Sequence, residues 1–246
     1  MYQKTVSVLG GVLIIVVYLF YLSYNSKENF SEVLFKSKTN LQILVACQED
    51  AEPYLNYKER FAFSISNKYL SELLSTNHIT ISGPNSESEI YALPHLEDIY
   101  FSKKEILALA KPFSIKKKKN NRLIVLFLNG FLKSNQKVHK SILGINLDNT
   151  NVIAMFKPVI ENSSPNFKVR TLNEQMTLIH EIGHAIGLVN NGLSPINNHV
   201  SRASKDHCSD SLCIMYKEFL ATEGLKENED YNLKSFCSDC QLDISY

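Results

Sequence analysis

A glutamate and two histidines in the last third of the chain have the types and the spacing of a zinc site with a general base. They belong to the segment H-E-I-G-H-A-I-G, residues 180–187. On a helix, residues four positions apart lie on one face, so the imidazoles of His180 and His184 can bind the same ion. Glu181 projects beside that face, where its carboxylate can hold a metal-bound water. The spacing predicts a zinc hydrolase site, and the alternative is a surface helix that carries two histidines by chance.

The helix that positions this motif is predicted to begin at Thr171. Glu174 follows three residues later and completes the pattern of a capping box. Gly187 is predicted to end the helix in a left-handed turn. Apolar side chains recur at helical spacing and are expected to pack against a sheet; they are Leu172, Met176, Ile179, Ile182 and Ile186.

The chain before this helix predicts a sheet with helices packed on it. Apolar runs and repeats predict strands at 41–46, 79–81, 123–128, 141–147 and 152–160, and helices at 67–75 and 102–110. Ser102 and Glu105 form a capping box at the start of the second of these helices. This order of elements indicates an α+β or α/β sandwich. Residues 152–158 are expected to form the edge strand, along which an extended substrate would lie.

The N-terminal segment predicts a membrane anchor. Residues 5–26 contain no charged side chain, and about 20 such residues in a helix cross the hydrocarbon layer. Lys4 and the terminal amine precede this run, so the N-terminus is expected in the cytoplasm and the rest of the chain outside it. A cleaved signal peptide is the alternative, although no small-x-small cleavage site follows the apolar run. A buried core helix is a third interpretation.

Bulk composition excludes two broad classes. Lys and Arg number 26 against 25 Asp and Glu, and this near balance gives no reason to expect a nucleic-acid partner. The 44% of hydrophobic residues is too high for a disordered chain. A length of 246 residues suits one domain, or one domain divided by a cleft.

The segment that follows Thr171 resembles the metzincin clan of zinc endopeptidases, whose pattern is H-E-x-x-H-x-x-G-x-x-H followed by a Met-turn. In this chain Asn190 stands at the position of the third histidine. Amides are poor zinc ligands, so the third ligand must come from elsewhere. The turn G-L-V-N-N-G at 187–192 also resembles a group of bacterial membrane-associated metalloproteases.

The later histidine and cysteines are similar to the arrangement in archaemetzincins, where a His-Cys pair is followed by Cys-x-Met and C-x-x-C. The resemblance implies that His207 is the third zinc ligand and that Met215 forms the Met-turn below the ion. It also implies a structural zinc held by four cysteines, which are Cys208, Cys213, Cys237 and Cys240. His199 and Glu218 are alternative third ligands. Disulfides are the alternative for the cysteines, and a plain core residue for the methionine.

These observations predict an α+β fold with a metzincin-like mixed sheet, an active-site helix and a small C-terminal subdomain. The expected domains are an anchor over 1–26, a linker over 27–40 and a zinc metallopeptidase domain over 41–246, divided at 187/188. The predicted reaction is hydrolysis of peptide bonds by a zinc-bound water that Glu181 activates. The expected partners are a peptide or protein substrate and the membrane, without nucleic acid. The alternative function is a membrane-anchored zinc domain that binds peptides without cleaving them.

Overall fold

A computed structural model gives the fold over residues 29–57, 60–114, 121–218 and 234–245. The helices are α1 (Phe30–Ser37), α2 (Phe63–Leu74), α3 (Lys103–Ala110), α4 (Lys157–Glu161), α5 (Phe167–Ala185) and α6 (Ser238–Leu242). The strands are β1 (Leu41–Cys47), β2 (Asn56–Tyr57), β3 (Arg60–Phe61), β4 (Ile81–Ser82), β5 (Tyr91–Ala92), β6 (Tyr100–Phe101), β7 (Arg122–Leu128), β8 (Phe131–Ser134), β9 (Lys137–His139), β10 (Gly144–Asn146) and β11 (Val152–Phe156).

The main sheet is mixed, as the sequence predicted. Its strands run in the order β10-β11-β7-β1-β4, and β5 also pairs with β1. All of these pairs are parallel except β10 with β11. A second sheet has the order β6-β8-β9, and β2 pairs with β3. The predicted α+β class with a mixed sheet is confirmed.

Both faces of the main sheet are covered, because the apolar strands alternate their side chains between two cores. One core joins Val125 of β7 and Ile153 of β11 to Ile179 of α5. The other core joins Ile124 of β7 and Ala154 of β11 to the helix α3. The helix α5 is therefore held against one face of the sheet, next to the antiparallel edge formed by β10.

The helix α5 carries the H-E-I-G-H segment and begins earlier than predicted. Its N-cap is Asn166, whose side chain accepts a hydrogen bond from the Lys168 N–H. Thr171 and Glu174 do not form a capping box. The carboxylate of Glu174 instead accepts hydrogen bonds from Lys157 Nζ at 2.8 Å and from the Tyr54 N–H at 2.6 Å. The predicted start was wrong because a buried ion pair, set by the fold, binds this glutamate.

The end of α5 follows the prediction for Gly187. This glycine has φ of +101°, in the left-handed region. The Leu188 N–H donates to the Gly183 carbonyl and the Gly187 N–H donates to the His184 carbonyl, both at 3.0 Å. These two bonds define a Schellman motif, which turns the chain sharply away from the helix.

Three segments differ from what the sequence led us to expect. The edge strand is β10 and not residues 152–158, because β11 lies between β10 and β7 and all five of its residues are buried. The second half of the predicted strand 152–160 is the helix α4, which has a proline near its start. Within the predicted linker, residues 27–40, the structure contains α1, whose Leu34 is completely buried in the core.

The predicted membrane location is corrected. In the part of the chain that the structure describes, no helix combines the length and the apolar character that a bilayer span requires. The longest described helix, α5, has 19 residues but carries charged side chains at Lys168, Arg170 and Glu174. The proposed anchor itself, residues 1–26, lies outside the described residues.

Candidate active site

Three imidazoles from two segments converge at the C-terminal end of α5. His180 and His184 lie one turn apart on the helix, and His207 comes from the loop that follows it. One ring nitrogen from each of the three lies within 4.8 Å of the others. The Nε2 atoms of His180 and His184 are 3.0 Å apart, near the separation of about 3.3 Å that two imidazoles have around a tetrahedral zinc ion.

Two of these histidines, His180 and His207, have a hydrogen-bond acceptor at Nδ1, which leaves Nε2 for an ion. His180 Nδ1–H donates to the Ile214 carbonyl at 2.8 Å. His207 Nδ1–H donates to Asp206 Oδ1 at 2.9 Å, and the Ser204 hydroxyl lies 2.8 Å from the same nitrogen. Partners of this kind fix the ring orientation and the tautomer of metal-binding histidines.

The Asn191 side-chain amide contacts the third ring, where its N–H group donates to Nδ1 of His184. Its Nδ2 lies 3.0 Å from His184 Nδ1 and also donates to the carbonyls of Leu188 and Val189. The left-handed turn after α5 brings this asparagine back over the helix end.

Burial keeps the two helix imidazoles neutral, which is the form that binds metal. Burial and the neighbouring His184 lower the pKa of His180 well below its usual value. Burial, with a contribution from His207, lowers the pKa of His184 to about 4. The donor set therefore fits a divalent ion such as zinc, which accepts three neutral imidazoles and keeps a further position for water.

Glu181 faces the same site from the adjacent position on the helix. Its Oε2 accepts a hydrogen bond from the Asn146 N–H, at the end of β10, at 2.6 Å. Burial raises the pKa of this carboxyl group to about 7. A carboxylate with a pKa near neutrality can both take up and release a proton, as a general base requires.

A cavity of about 530 Å³ opens over the three imidazoles and the glutamate. Its walls include β10, residues 141–143 that precede it, and Asp206 beside His207. The edge strand packs closely on α5, because a Cβ atom at Gly144 would lie 2.8 Å from Thr177 Cγ2 and 3.2 Å from Glu181 Cγ. The site is therefore a groove between a strand edge and a helix.

Met215 packs against the helix α5 at Gly183. It is completely buried, and a Cβ atom at Gly183 would collide with its sulfur. Gly183, a weak helix former in the middle of the motif, is thus explained by the approach of the methionine. The neighbouring Ile214 carbonyl holds His180, so this turn supports the site from below.

A second cluster lies close to the first. The ligand atoms of His199, Cys208, Cys237 and Cys240 lie within 4.8 Å of one another. His199, proposed as an alternative third ligand, therefore lies in this second group. Cys213 is adjacent, with its sulfur 3.7 Å from that of Cys240. All five cysteines of the chain are free thiols.

Two other residues considered from the sequence lie away from the three imidazoles. Asn190, at the place of the third metzincin histidine, is exposed and has φ of +70°. Glu218 is exposed, and its backbone carbonyl accepts a hydrogen bond from Lys234 Nζ.

Four residues that hold the candidate ligands or Glu181 by hydrogen bonds were not predicted from the sequence. They are Asn146, Asn191, Asp206 and Asp243. Only Asp206 carried a usable sequence feature, since a carboxylate directly precedes a candidate ligand.

Comparison with solved structures gives matches to 13 chains, of which two are described here. An archaemetzincin from Methanopyrus kandleri is similar over 83% of this chain and 93% of its own, at 15% identity and a TM-score of 0.47. A zinc-dependent peptidase from Methanocorpusculum labreanum is similar over 82% of this chain and 99% of its own, at 16% identity and a TM-score of 0.44. The first of these proteins is an archaemetzincin, the family that the sequence resembles. The sequence matches no family model and no curated protein.

Proposed function

We propose that the protein is a zinc-dependent endopeptidase. The observation that carries this proposal is the convergence of His180, His184 and His207 beside Glu181 in one groove. A purely structural zinc site is closed by four protein ligands, whereas three ligands leave a position for water. A buried carboxylate next to that position has a use in catalysis and none in a structural site.

In the proposed reaction, the zinc ion would supply a Lewis acid that lowers the pKa of a bound water to about 7 and polarises the substrate carbonyl. Glu181 takes the proton from that water and passes it to the leaving amine. The Asn146 N–H holds one carboxylate oxygen and leaves the other to face the reaction. Ile214, Asn191 and Asp206 keep the three imidazoles in place.

The substrate would bind as an extended peptide along β10. This strand pairs with β11 on one side, and among the described strands it has no partner on the other. An open edge offers backbone N–H and C=O groups to a peptide of any sequence, which suits an endopeptidase. Bound in this way, the peptide would lie along the wall of the groove that contains Glu181.

Substitution of the general base tests the proposal. In the purified full chain loaded with zinc, Glu181→Gln should lower kcat/KM on quenched fluorescent peptides by about 10²–10⁴-fold, because the amide cannot accept the proton. Zinc content, measured by mass spectrometry, should not change. Glu72→Gln is the matched control, since Glu72 is an exposed residue of α2 whose carboxylate pairs with the exposed Lys68. This control should cleave at the wild-type rate.

An unchanged rate in Glu181→Gln, with zinc still bound, would contradict hydrolysis at this site. A wild-type chain that binds peptides and zinc but cleaves none of a broad peptide library would instead support a zinc domain that binds without cleaving.

A further inference from the structure

A second cavity, of about 380 Å³, adjoins the candidate active site next to the end of β10. The two cavities share three wall residues, which are Asn146, Asp148 and Asn191. The second cavity is polar, and the asparagines that line it are Asn29, Asn146, Asn149, Asn190 and Asn191. The groove over the imidazoles therefore continues into a space whose walls carry side-chain amides.

The second cavity carries little charge that could attract an ion. Among the described residues that line it, Asp148 is the one with an ionisable side chain, and its carboxylate binds Lys103 Nζ at 2.7 Å. Asp206 and Lys217 line the first cavity but not the second. A ligand of the second cavity is therefore expected to be uncharged and to form hydrogen bonds.

Asn146 stands at the junction of the two cavities with an unpartnered side chain. It is 8% exposed, its Oδ1 is buried, and among the described residues neither atom of its amide forms a hydrogen bond. Its backbone N–H is already engaged, because it donates to Glu181 Oε2. A buried amide without a partner is unfavourable, so a ligand that supplies the missing hydrogen bonds is bound more tightly.

The register of β10 directs the Asn146 side chain toward the face of the sheet that α5 covers. Asn146 pairs with Ile153 of β11, whose side chain lies in the core beside α5. Ile145 packs against the opposite core, as the alternation of side chains along a strand requires. On a peptide strand added antiparallel to β10, the side chain opposite Asn146 would have its Cβ about 4.5–5.5 Å away. A glutamine side chain at that position can reach the Asn146 amide.

We propose that Asn146 and the adjoining cavity form a subsite for the side-chain amide of a glutamine or asparagine in the substrate. This inference rests on the proposed peptidase function, because it assumes a peptide on β10. An amide both donates and accepts hydrogen bonds, so it can pair with both atoms of the Asn146 amide, which rotates about its Cβ–Cγ bond. A lysine offers only donors and a carboxylate only acceptors, so each leaves one of these atoms unpaired.

Peptide binding to the full chain tests the subsite separately from cleavage. The variant Glu181→Gln, loaded with zinc, is used so that peptides are not turned over, and fluorescence polarisation gives the Kd of dye-labelled octapeptides. Each position of an alanine background carries glutamine, leucine, glutamate or lysine in turn. At one position we expect glutamine to bind about 10-fold tighter than leucine, which is similar in size but leaves the Asn146 amide unpaired. Glutamate and lysine should bind no better than leucine there.

Substitutions of Asn146 then identify the residue that reads the peptide. Asn146→Leu should reduce the ratio of the two Kd values to about 1, while the backbone N–H that holds Glu181 is retained. Asn162→Leu is the matched control, since Asn162 is exposed and lies outside both cavities, and it should keep the ratio. Asn146→Asp keeps the test available where leucine prevents folding. Its side chain only accepts hydrogen bonds, so the preference should move from glutamine to lysine.

The absence of any position that prefers glutamine would overturn the subsite, as would a preference that persists in Asn146→Leu or Asn146→Asp. Cleavage by the wild-type chain without such a preference would overturn the subsite and leave the proposed function standing. Selective binding of glutamine by a chain that cleaves no peptide would support the subsite and contradict the proposed peptidase function.

Discussion

The orientation of His207 depends on the residue before it in the chain. His180 and His184 are held on a buried helix, but the side chain of His207 is 18% exposed and lies in a loop. Asp206 and Ser204 are the groups that engage its Nδ1. The charge of His207 and the hydrogen bonds that Asp206 accepts from His207 and Ser204 outweigh the effect of burial and lower the pKa of Asp206. This aspartate is therefore ionised at neutral pH and suited to hold a ligand imidazole.

Removal of this carboxylate should weaken the first metal site. Asp206→Ala is expected to reduce zinc affinity there by about 10–100-fold, the usual effect of losing a partner of a metal-binding histidine. Competition with a chromogenic chelator measures the change on the full chain. Glu97→Ala serves as control, because Glu97 is exposed and lies outside the cavity. Equal affinities of the two variants would show that the loop holds His207 without Asp206.

At the residue scale, the sequence was informative where spacing along one element decides the geometry. His180, Glu181 and His184 share one helix, so a separation of four residues was sufficient to place them together. The pairing of His199 with Asp243 joins residues 44 positions apart, and the contact of Asn146 with Glu181 joins residues 35 apart. No local sequence pattern can reveal contacts between residues so far apart in the chain, because these contacts depend on how the sheet and the loop fold over α5.

At the scale of elements, the helix α5 and the turn below it share one tight contact. At position 183 only glycine lets Met215 come so close, since the Cβ atom of any other residue would overlap the methionine sulfur. The methionine turn also carries the Ile214 carbonyl that binds His180. Displacement of this turn would therefore be transmitted to His180, a proposed metal ligand.

The substitution Gly183→Ala tests the contact between Gly183 and Met215, because the contact should make the substitution destabilising. Helix propensity alone would stabilise the protein by about 1 kcal/mol, whereas overpacking costs about 1–3 kcal/mol. We expect a net loss of up to about 2 kcal/mol in the free energy of unfolding, measured by denaturant titration at constant zinc. In a Met215→Ala background the same substitution should be neutral or stabilising. An equal loss in both backgrounds would mean that the methionine is not the cause.

One helix start was predicted correctly from the sequence, whereas another helix start and the order of the strands were not. The capping box of Ser102 and Glu105 formed as expected, because both partners are local and exposed. The similar pattern at Thr171 and Glu174 did not, because a buried lysine forms an ion pair with the glutamate. The edge strand was misassigned because the apolar run of β11 is equally compatible with an interior position in the sheet. The order of the strands in the sheet is decided by pairing between strands that are distant in the sequence.

At the scale of the whole molecule, one loop connects the two clusters. Cys208 of the second cluster directly follows His207 of the first, and its N–H donates to the Met215 carbonyl at 2.8 Å. The C-terminal segment contributes Cys237 and Cys240 and is fixed to the end of α2, where Asn77 Nδ2 donates to the Ile244 carbonyl at 2.6 Å. A zinc ion in the second cluster, which the resemblance implies, would link this loop to the C-terminal segment, whose Phe236 and Ile244 also pack into the main core.

Metal removal should therefore destabilise the protein through both sites. A ligand present at 100 times its Kd stabilises the folded state by about 2.7 kcal/mol, which in a chain of this size corresponds to roughly 5–10 °C in Tm. Chelation of the wild-type chain should lower Tm by at least this amount, and added zinc should restore it. The variant with His180→Ala and His184→Ala should still respond to the chelator, because the second cluster keeps its ligands. A variant that no longer responds would show that only the three-histidine site binds zinc, and an unresponsive wild type would contradict both sites.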